Sequence, residues 1–305
     1  MTSYRLGINT CFAVKRWPQP ERWAGLVRGE LELDLIQHSL DLVELDASPA
    51  EVSEQAARLQ GACADQGLTL HSTFTGLAAY SSNLLLHPDA PSRARARDWY
   101  RRVIGFTADT GAGSAGGHIG AFSVGDWRDR ARRAQLWGEL QEALNELSAY
   151  AHDRGLSSLL AENLAAAREP STMAMITSLL TAGDQAHVPV MLCLDVGHQC
   201  VPGTAGADRD PYAWLERLGA RAPVVQLQQT DGQADHHSPF TAETNAAGII
   251  DPARVLAALD RSGAADVALI LEIIPPFEQD DDQVLADLRQ SAAYWRAAVH
   301  GHDGG

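Results

Sequence analysis

The stretch Val190-Met191-Leu192-Cys193-Leu194-Asp195 is a short apolar run that ends in a carboxylate, and Val196-Gly197-His198 follows it directly. Because side chains alternate between the two faces of a strand, Met191, Cys193 and Asp195 are predicted to share one face. A nearly continuous apolar run of this length is typical of a strand that is buried on both faces, as in parallel sheets. The stretch therefore predicts an α/β fold in which a strand ends in a polar group.

Seven further runs of this kind alternate with segments of helical periodicity along the chain of 305 residues. Ser48-Pro49-Ala50-Glu51 is typical of a helix start, with a capping box and a proline at the first helical position. Eight strand–helix units with right-handed crossovers predict a (β/α)8 TIM barrel. We expect a single barrel over residues 1–299, a frayed tail over 300–305, and a flexible loop at the glycine-rich run 111–117. The predicted strands are Leu6–Asn9, Leu42–Leu45, Leu68–Thr73, Gly117–Phe122, Ser158–Asn163, Val190–Asp195, Val224–Gln229 and Ala268–Ile273.

Composition excludes several classes of protein. The chain is 45% apolar and 21% charged, with no apolar run near the roughly 18 residues of a membrane span. Its net charge of −15 disfavours a nucleic-acid partner, because phosphodiester backbones repel an acidic surface. No signal-peptide core follows Met1, and the four cysteines form no CxxC pair. We therefore expect reduced thiols, a cytoplasmic location and no membrane partner.

Polar groups end four consecutive predicted strands. Glu162, Asp195, Gln228 and Glu272 each fall on the face that alternation assigns to the barrel axis. Catalytic groups of such barrels lie at the carboxyl ends of the strands, and buried carboxylates need a partner or a metal ion. Three carboxylates and an amide thus predict an oxygen-donor site for a divalent cation.

Histidines and the only lysine are expected near the same rim. His71 and His118 belong to the third and fourth predicted strands, His198 follows Asp195 by three residues, and His236-His237 follows the seventh strand. We interpret these histidines as substrate or metal contacts. Lys15 and Arg16 follow the first strand, where they are candidates to hold an anionic group of a substrate.

The motifs Leu160-Ala161-Glu162-Asn163, Asp195-Val196-Gly197-His198 and Leu271-Glu272-Ile273-Ile274, together with Gln228, resemble the xylose-isomerase-like barrel superfamily. Among its members, the chain is most similar to the ketose 3-epimerases. The resemblance implies a divalent metal (Mn²⁺, Mg²⁺ or Co²⁺, with Zn²⁺ as an alternative) held by Glu162, Asp195 and Glu272. Gln228 stands where those epimerases have a histidine ligand.

The resemblance also implies that Glu162 and Glu272 act as base and acid on opposite faces of a short ketose. A cis-enediolate is the expected intermediate, and a ketose phosphate such as erythrulose phosphate is the expected substrate. Isomerisation instead of 3-epimerisation stays open, and so does a free sugar. The relatives' dimers and tetramers make a homo-oligomer an expectation.

Endonuclease IV, of the same superfamily, is the alternative from another class. Its trinuclear zinc pattern corresponds here to His71, His118, Glu162, Asp195, His198, Asp235, His237 and Glu272. The glutamine at position 228 and the net charge of −15 favour sugar chemistry over DNA repair. A lyase or dehydratase of the superfamily, such as a C-glycoside deglycosidase or an inosose dehydratase, is a further alternative.

Overall fold

The computed structural model describes residues 2–303, which form a closed barrel of eight parallel strands surrounded by helices. The strands pair in chain order, and β1 closes the barrel on β8 in a register that runs from Ser3↔Asp266 to Ile8↔Leu271. The predicted (β/α)8 barrel is therefore confirmed. The strands are β1 Ser3–Asn9, β2 Leu35–Ser39, β3 Thr69–Phe74, β4 Ser114–Gly117, β5 Ser158–Glu162, β6 Val190–Asp195, β7 Val224–Leu227 and β8 Asp266–Leu271.

Helices follow the strands and form the outer layer. The predicted capping box is confirmed: the Ser48 hydroxyl accepts the Glu51 N–H at the start of the second helix, and the Glu51 carboxylate accepts the Ser48 N–H. The α-helices are α1 Pro20–Gly29, α2 Pro49–Asp65, α3 Ala90–Thr110, α4 Val124–Arg128, α5 Arg130–Asp153, α6 Met173–Gly183, α7 Pro211–Leu218, α8 Ala242–Ala247, α9 Pro252–Ser262 and α10 Asp281–Asp303. Short 3₁₀ helices lie at Thr10–Ala13, Leu40–Leu42, Leu77–Ser81, Gly206–Arg209 and Gly219–Arg221.

The second strand was predicted wrongly. Leu42–Leu45 is not a strand, and β2 lies earlier, at Leu35–Ser39. All five residues of β2 are buried, but three of them are polar, so the segment lacks an apolar pattern. Gln37 faces the barrel axis, where it bonds to Asn9, and the His38 ring packs against Trp23 in the helical layer, with ring centroids 5.6 Å apart. The polar side chains of this buried strand are thus satisfied by partners in other elements, and the strand does not show the apolar pattern that usually marks a buried strand in the sequence.

The fourth strand was also misplaced. The predicted strand Gly117–Phe122 shares only Gly117 with β4, and the glycine-rich run expected to be a loop contains the strand itself. A Cβ on Gly116 would lie 1.9 Å from the Leu160 carbonyl oxygen, so only glycine allows β4 to approach β5 this closely. This strand is glycine-rich because larger residues would not fit between its neighbours. Hydrophobic patterning does not detect such a requirement.

The barrel interior is a small apolar layer beneath a polar one. Leu35, Phe74, Leu160, Cys193 and Ile270 belong to the interior cluster of buried side chains. The residues two positions beyond Leu160, Cys193 and Ile270 are Glu162, Asp195 and Glu272, which therefore emerge at the carboxyl ends of the strands. This layer raises the carboxylates to the carboxyl end of the barrel, where catalytic groups of such barrels lie.

Helix α10 includes most of the segment that was expected to fray. It extends to Asp303, and His302 Nε2 lies 2.7 Å from Asp260 Oδ2. The helix thus takes up residues 300–303, while 304 and 305 lie outside the described residues. None of the helices in residues 2–303 combines the length and the apolar character needed to cross a bilayer. The four cysteines are buried and free.

Candidate metal and proton-transfer site

Three buried carboxylates meet at the carboxyl end of the barrel. Glu162 ends β5, Asp195 ends β6, and Glu272 directly follows β8. Their exposed fractions are 0%, 0% and 6%, and one oxygen of each lies within 4.8 Å of the others. Like charges at this separation repel strongly in a buried environment, so the arrangement requires protons or a cation among them.

Amide groups from neighbouring strands hold Glu272. Its Oε1 accepts from Asn9 Nδ2 at 2.9 Å and from Gln226 Nε2 at 2.7 Å. Both amides also donate to Gln37 Oε1, at 2.9 Å each, so the donors are themselves fixed across the barrel. One oxygen of Glu272 is thereby oriented, while Oε2 lies 3.7 Å from His237 Nδ1.

A single loop residue holds Glu162. The Tyr80 hydroxyl donates to Oε2 of Glu162. Oε1 of Glu162 is buried and has no hydrogen-bond partner within residues 2–303, and its nearest positive group is His198 Nδ1 at 3.6 Å. A buried acceptor without a partner is costly unless a cation satisfies it.

Gln228 supports the carboxylates through its amide group. Its Nε2 donates to Asp195 Oδ1 at 3.0 Å and to Asp235 Oδ1 at 2.7 Å, while its Oε1 accepts the His237 N–H at 2.6 Å. Gln228 Oε1, the atom that would have to bind a metal, therefore accepts a backbone hydrogen bond. The amide nitrogen of Gln228 faces the carboxylates. A Cβ on Gly197 would lie 2.3 Å from Gln228 Cδ, so the Asp195-Val196-Gly197-His198 turn leaves room for this side chain.

Two histidines complete the cluster. His198 Nδ1 donates to the Asn163 carbonyl at 2.6 Å, which leaves the buried Nε2 near Asp195 Oδ1 (3.9 Å) and Asp235 Oδ2 (3.3 Å). His237 Nε2 lies 3.1 Å from Asp235 Oδ1. One ring nitrogen of each histidine lies within 4.8 Å of the other and of an Asp195 oxygen, so these three residues form a second group that could hold a metal ion.

Burial and charge shift the titration of the whole cluster. Burial raises the pKa of Glu162 to about 8, and it raises the pKa of Glu272 well above its ordinary value. Burial opposes protonation of His237, but its hydrogen bond to Asp235 raises its pKa to about 9. In the same way the carboxylates outweigh burial at His198, whose pKa is raised well above its ordinary value. Either protons or a divalent cation can compensate for the crowded carboxylates, and the two compete for the same oxygens.

A cavity of about 220 Å³ opens beside the cluster. Its wall includes the polar groups of Asn9, Ser39, Thr75, Tyr80 and Glu272 and the thiol of Cys11. Within residues 2–303, the side chains that line it include no lysine or arginine, and His237 is the one basic group among them. Leu77 and Ile274 add apolar surface to the wall, and the size of the cavity suits a compact molecule.

The other predicted histidines occupy different places. His118 follows β4 beneath Tyr80: the two rings stack with centroids 4.9 Å apart, and His118 Nε2 lies 3.2 Å from the Ser82 carbonyl oxygen. His71 is the unpaired residue of a β-bulge in β3, where burial and the nearby Arg5 lower its pKa to about 4. His71 thus lies toward the amino-terminal end of the barrel and does not join the carboxylates.

The predicted anion-binding residues separate as well. Arg16 donates to the carbonyls of Pro276, Phe277 and Gln279 and bonds to Asp281, so its guanidinium fastens the loop between β8 and α10. The Lys15 ammonium lies 4.2 Å from the centroid of the Phe277 ring. His236 is exposed and pairs with Asp231 at 3.2 Å, outside the cluster that contains His237.

Sequence reasoning missed Tyr80 as a site residue and did not assign Asn9 a role. Tyr80 lies in the short helix Leu77–Ser81, 82 positions from Glu162, and no local pattern marks it. Asn9 could have been found, because it is the polar inward residue at the end of β1, as Glu162 is at the end of β5.

The fold defines a TIM barrel with a candidate metal site at its carboxyl end, and comparison with known proteins identifies the family. The model of the xylose isomerase-like TIM barrel family matches residues 33–297, and the chain belongs to that family. The predicted superfamily is therefore confirmed.

Individual relatives cover nearly the whole chain. A solved structure described as a candidate xylose isomerase from Rhodospirillum rubrum is 34% identical, covers 97% of this chain and 99% of its own, and superposes with a TM-score of 0.90. The D-erythrulose 1-phosphate 3-epimerase of Brucella abortus is 28% identical over 95% of this chain and 94% of its own length. The D-psicose 3-epimerase of Clostridium cellulolyticum has a TM-score of 0.72 with 16% identity, covering 97% of this chain and 99% of its own, which shows the shared fold.

Proposed function

We propose that this protein is a divalent-metal-dependent 3-epimerase of a short ketose phosphate such as erythrulose phosphate. The observation that carries the proposal is the pairing of Glu162 and Glu272, two buried carboxylates that each have one oxygen held by a hydrogen-bond donor and that belong, with Asp195, to one candidate metal group. The relative from Brucella abortus, whose name states this reaction, supports the choice of substrate.

The residues fit a metal ion. Glu162 Oε1 and His198 Nε2 are buried atoms without a hydrogen-bond partner within residues 2–303, and both border the group of three carboxylates. Glu162, Asp195 and Glu272 would hold the ion, with His198, His237 or a rotated Gln228 as further donors. Such oxygen-rich sets suit Mn²⁺, Mg²⁺ or Co²⁺, and histidine donors also suit Zn²⁺. When bound, the ion would act as a Lewis acid toward the ketone and make the neighbouring C–H more acidic.

The two glutamates supply the proton chemistry. One carboxylate takes the C3 proton, and the electron pair of that C–H bond passes into an enediolate. The other glutamate, in its protonated form, returns a proton to C3 from the opposite side, which inverts the carbon. Burial raises the pKa of both side chains, which favours the protonated form that a general acid needs.

Substitution of each glutamate by glutamine tests the assignment. In D₂O, the wild-type enzyme is expected to interconvert D- and L-erythrulose 1-phosphate with solvent deuterium at C3. Glu162→Gln and Glu272→Gln should each slow interconversion by more than about 100-fold, since general acid–base catalysis contributes about 10²–10⁴-fold. Each variant should still exchange the C3 proton of the one epimer that faces its remaining carboxylate.

The outcomes separate the alternatives. Absence of deuterium at C3 with the wild-type enzyme would contradict the epimerase. Deuterium at C2 with migration of the carbonyl to C3 would indicate isomerisation, because the phosphorylated C1 oxygen cannot become an aldehyde. Cleavage of an abasic-site duplex would favour the endonuclease. Metal analysis of the protein gives an independent measurement, because a single-ion epimerase site and a trinuclear site differ in stoichiometry.

A further inference from the structure

Tyr80 lies outside every motif that relates this chain to its family, yet it touches one of the two glutamates. We propose that Tyr80 is the positioning residue of Glu162. This inference rests on the proposed function. It states that proton exchange at C3 depends on the Tyr80 hydroxyl on the face that Glu162 serves and is independent of it on the face that Glu272 serves.

The Tyr80 hydroxyl is the only hydrogen-bond donor to the Glu162 carboxylate within residues 2–303. It engages Oε2, while Oε1 is buried without a hydrogen-bond partner among the described residues and lies 3.6 Å from His198 Nδ1. Because a carboxylate rotates about its last torsion unless a partner fixes it, this hydrogen bond fixes the plane of the Glu162 carboxylate and the direction of its second oxygen. Loss of the hydroxyl would let the carboxylate plane turn away from this orientation.

The loop that carries Tyr80 is anchored at three points. The Asp41 carboxylate accepts the N–H groups of Leu77 at 2.6 Å and Ala78 at 3.2 Å. A Cβ on Gly76 would lie 2.1 Å from Asp41 Cγ, so the chain passes against this carboxylate where only glycine fits. The Tyr80 ring then stacks on His118, with an angle of 26° between the ring planes. These contacts direct the Tyr80 hydroxyl toward Glu162, even though the residue as a whole is 37% exposed.

A phenol is chemically suited to this position. It is a neutral donor, so it orients the carboxylate without competing with a bound cation for charge, as a lysine or arginine would. When Glu162 takes a proton on Oε1, the Tyr80 hydroxyl continues to donate to Oε2. Tyr80 thus neither gains nor loses a proton in the reaction, and its role is orientation alone.

Tyr80→Phe removes the hydroxyl and keeps the ring that stacks on His118. Tyr100→Phe is the matched control, because the Tyr100 hydroxyl donates to the His118 carbonyl in the same region without touching Glu162. Exchange of the C3 proton is followed by NMR in D₂O with saturating Mn²⁺, starting separately from D- and from L-erythrulose 1-phosphate. Bound metal is measured in parallel by mass spectrometry, and folding by thermal melting.

In Tyr80→Phe, exchange from one epimer should fall about 10- to 100-fold, the effect of one hydrogen bond to a charged group. Exchange from the other epimer should change less than about threefold, and the metal content should stay unchanged. The melting temperature should fall by no more than the loss of one hydrogen bond predicts. The affected epimer should be the one that Glu162→Gln also fails to exchange. The control variant should resemble the wild type with both epimers.

Other results would overturn the inference. Equal loss with both epimers, no loss with either, or loss of the metal from Tyr80→Phe would each show that Tyr80 does not position Glu162 alone. Wild-type enzyme that exchanges neither epimer would overturn the proposed function itself, and the Tyr80 inference with it. The wild-type measurement thus tells whether the proposed function fails or only the role of Tyr80.

Discussion

The two glutamates of the site have the same chemistry but are held by different parts of the molecule. Glu272 accepts hydrogen bonds from Asn9 of β1 and from Gln226 of β7, the strands on either side of β8. Glu162 is bonded to Tyr80 of the 3₁₀ helix that follows β3. One carboxylate is therefore fixed by the barrel and the other by a loop.

The difference follows from the neighbouring strands. β4, next to β5, ends in Gly116 and Gly117, which offer no side chain that could reach Glu162. A Cβ on Gly117 would also lie 2.1 Å from Thr75 Oγ1, so the close packing of β3 and β4 prevents a donor there. The loop after β3 supplies the donor instead. Strand-borne donors are part of the barrel sheet, whereas the loop-borne donor depends on the contacts of its loop with Asp41 and His118.

Loss of Asp195 should have the largest effect, because its carboxylate belongs to both candidate metal groups, including the one that contains the two glutamates. Asp195→Ala is expected to lower Mn²⁺ affinity more than about 100-fold, since even loss of a group that only orients a ligand costs about 10- to 100-fold. Epimerisation should be lost together with the metal.

Calorimetric titration with Mn²⁺ measures this effect. Asp231→Asn is the control, because Asp231 is exposed and pairs with His236 away from the cluster. Asp195→Ala protein that still binds one equivalent of Mn²⁺ with wild-type affinity would contradict the metal site.

Removal of a donor on the barrel side should affect stability more than removal of the loop donor. Gln226→Leu removes two buried hydrogen bonds, to Glu272 Oε1 and to Gln37 Oε1, and each acceptor keeps its bond from Asn9. Tyr80→Phe removes one hydrogen bond, to Glu162 Oε2. Because each such bond contributes about 1–3 kcal/mol, the loss of two bonds should cost more than the loss of one. Urea denaturation compares the two free energies of unfolding, and equal losses would contradict this difference between the two sides.

The sequence predicts the barrel side of the site better than the loop side, for a physical reason. Glu162, Asp195 and Glu272 interrupt apolar strands at their ends, and period-two alternation correctly places them in the barrel. Tyr80 depends on the path of a loop between β3 and α3, which neither periodicity nor spacing determines. The donor of Glu162 could be found only from the three-dimensional arrangement.

The same reasoning explains the errors in the strands. β2 carries Gln37 and His38, whose partners Asn9 and Trp23 lie in other elements, so hydropathy marks the wrong segment. His71 was expected at the rim, but a β-bulge adds a residue to β3, and His71 is left toward the amino-terminal end. Local patterns predict which strands end in polar groups, whereas bulges and glycine-rich strands arise from packing between elements.

The smallest expected effect concerns two adjacent cations after β1, which differ as the two glutamates do. Arg16 is fixed by the loop between β8 and α10, whereas Lys15 is exposed. Lys15 follows the segment that brings Cys11 to the cavity wall, and its ammonium lies over Phe277, three residues beyond Ile274 of the same wall. Lys15 is thus the more exposed cation of the pair and our candidate contact for a phosphate.

Lys15→Ala should raise the KM for erythrulose 1-phosphate about two- to fivefold, because an exposed charge pair contributes up to about 1 kcal/mol. The KM for unphosphorylated erythrulose should not change, and added salt should reduce the difference between the two substrates through screening. Arg5→Ala is the control, since Arg5 pairs with Asp266 at the opposite end of the barrel. An equal change with both substrates would remove Lys15 from phosphate recognition. Because no lysine or arginine of residues 2–303 lines the cavity, that result would favour a free ketose as the substrate.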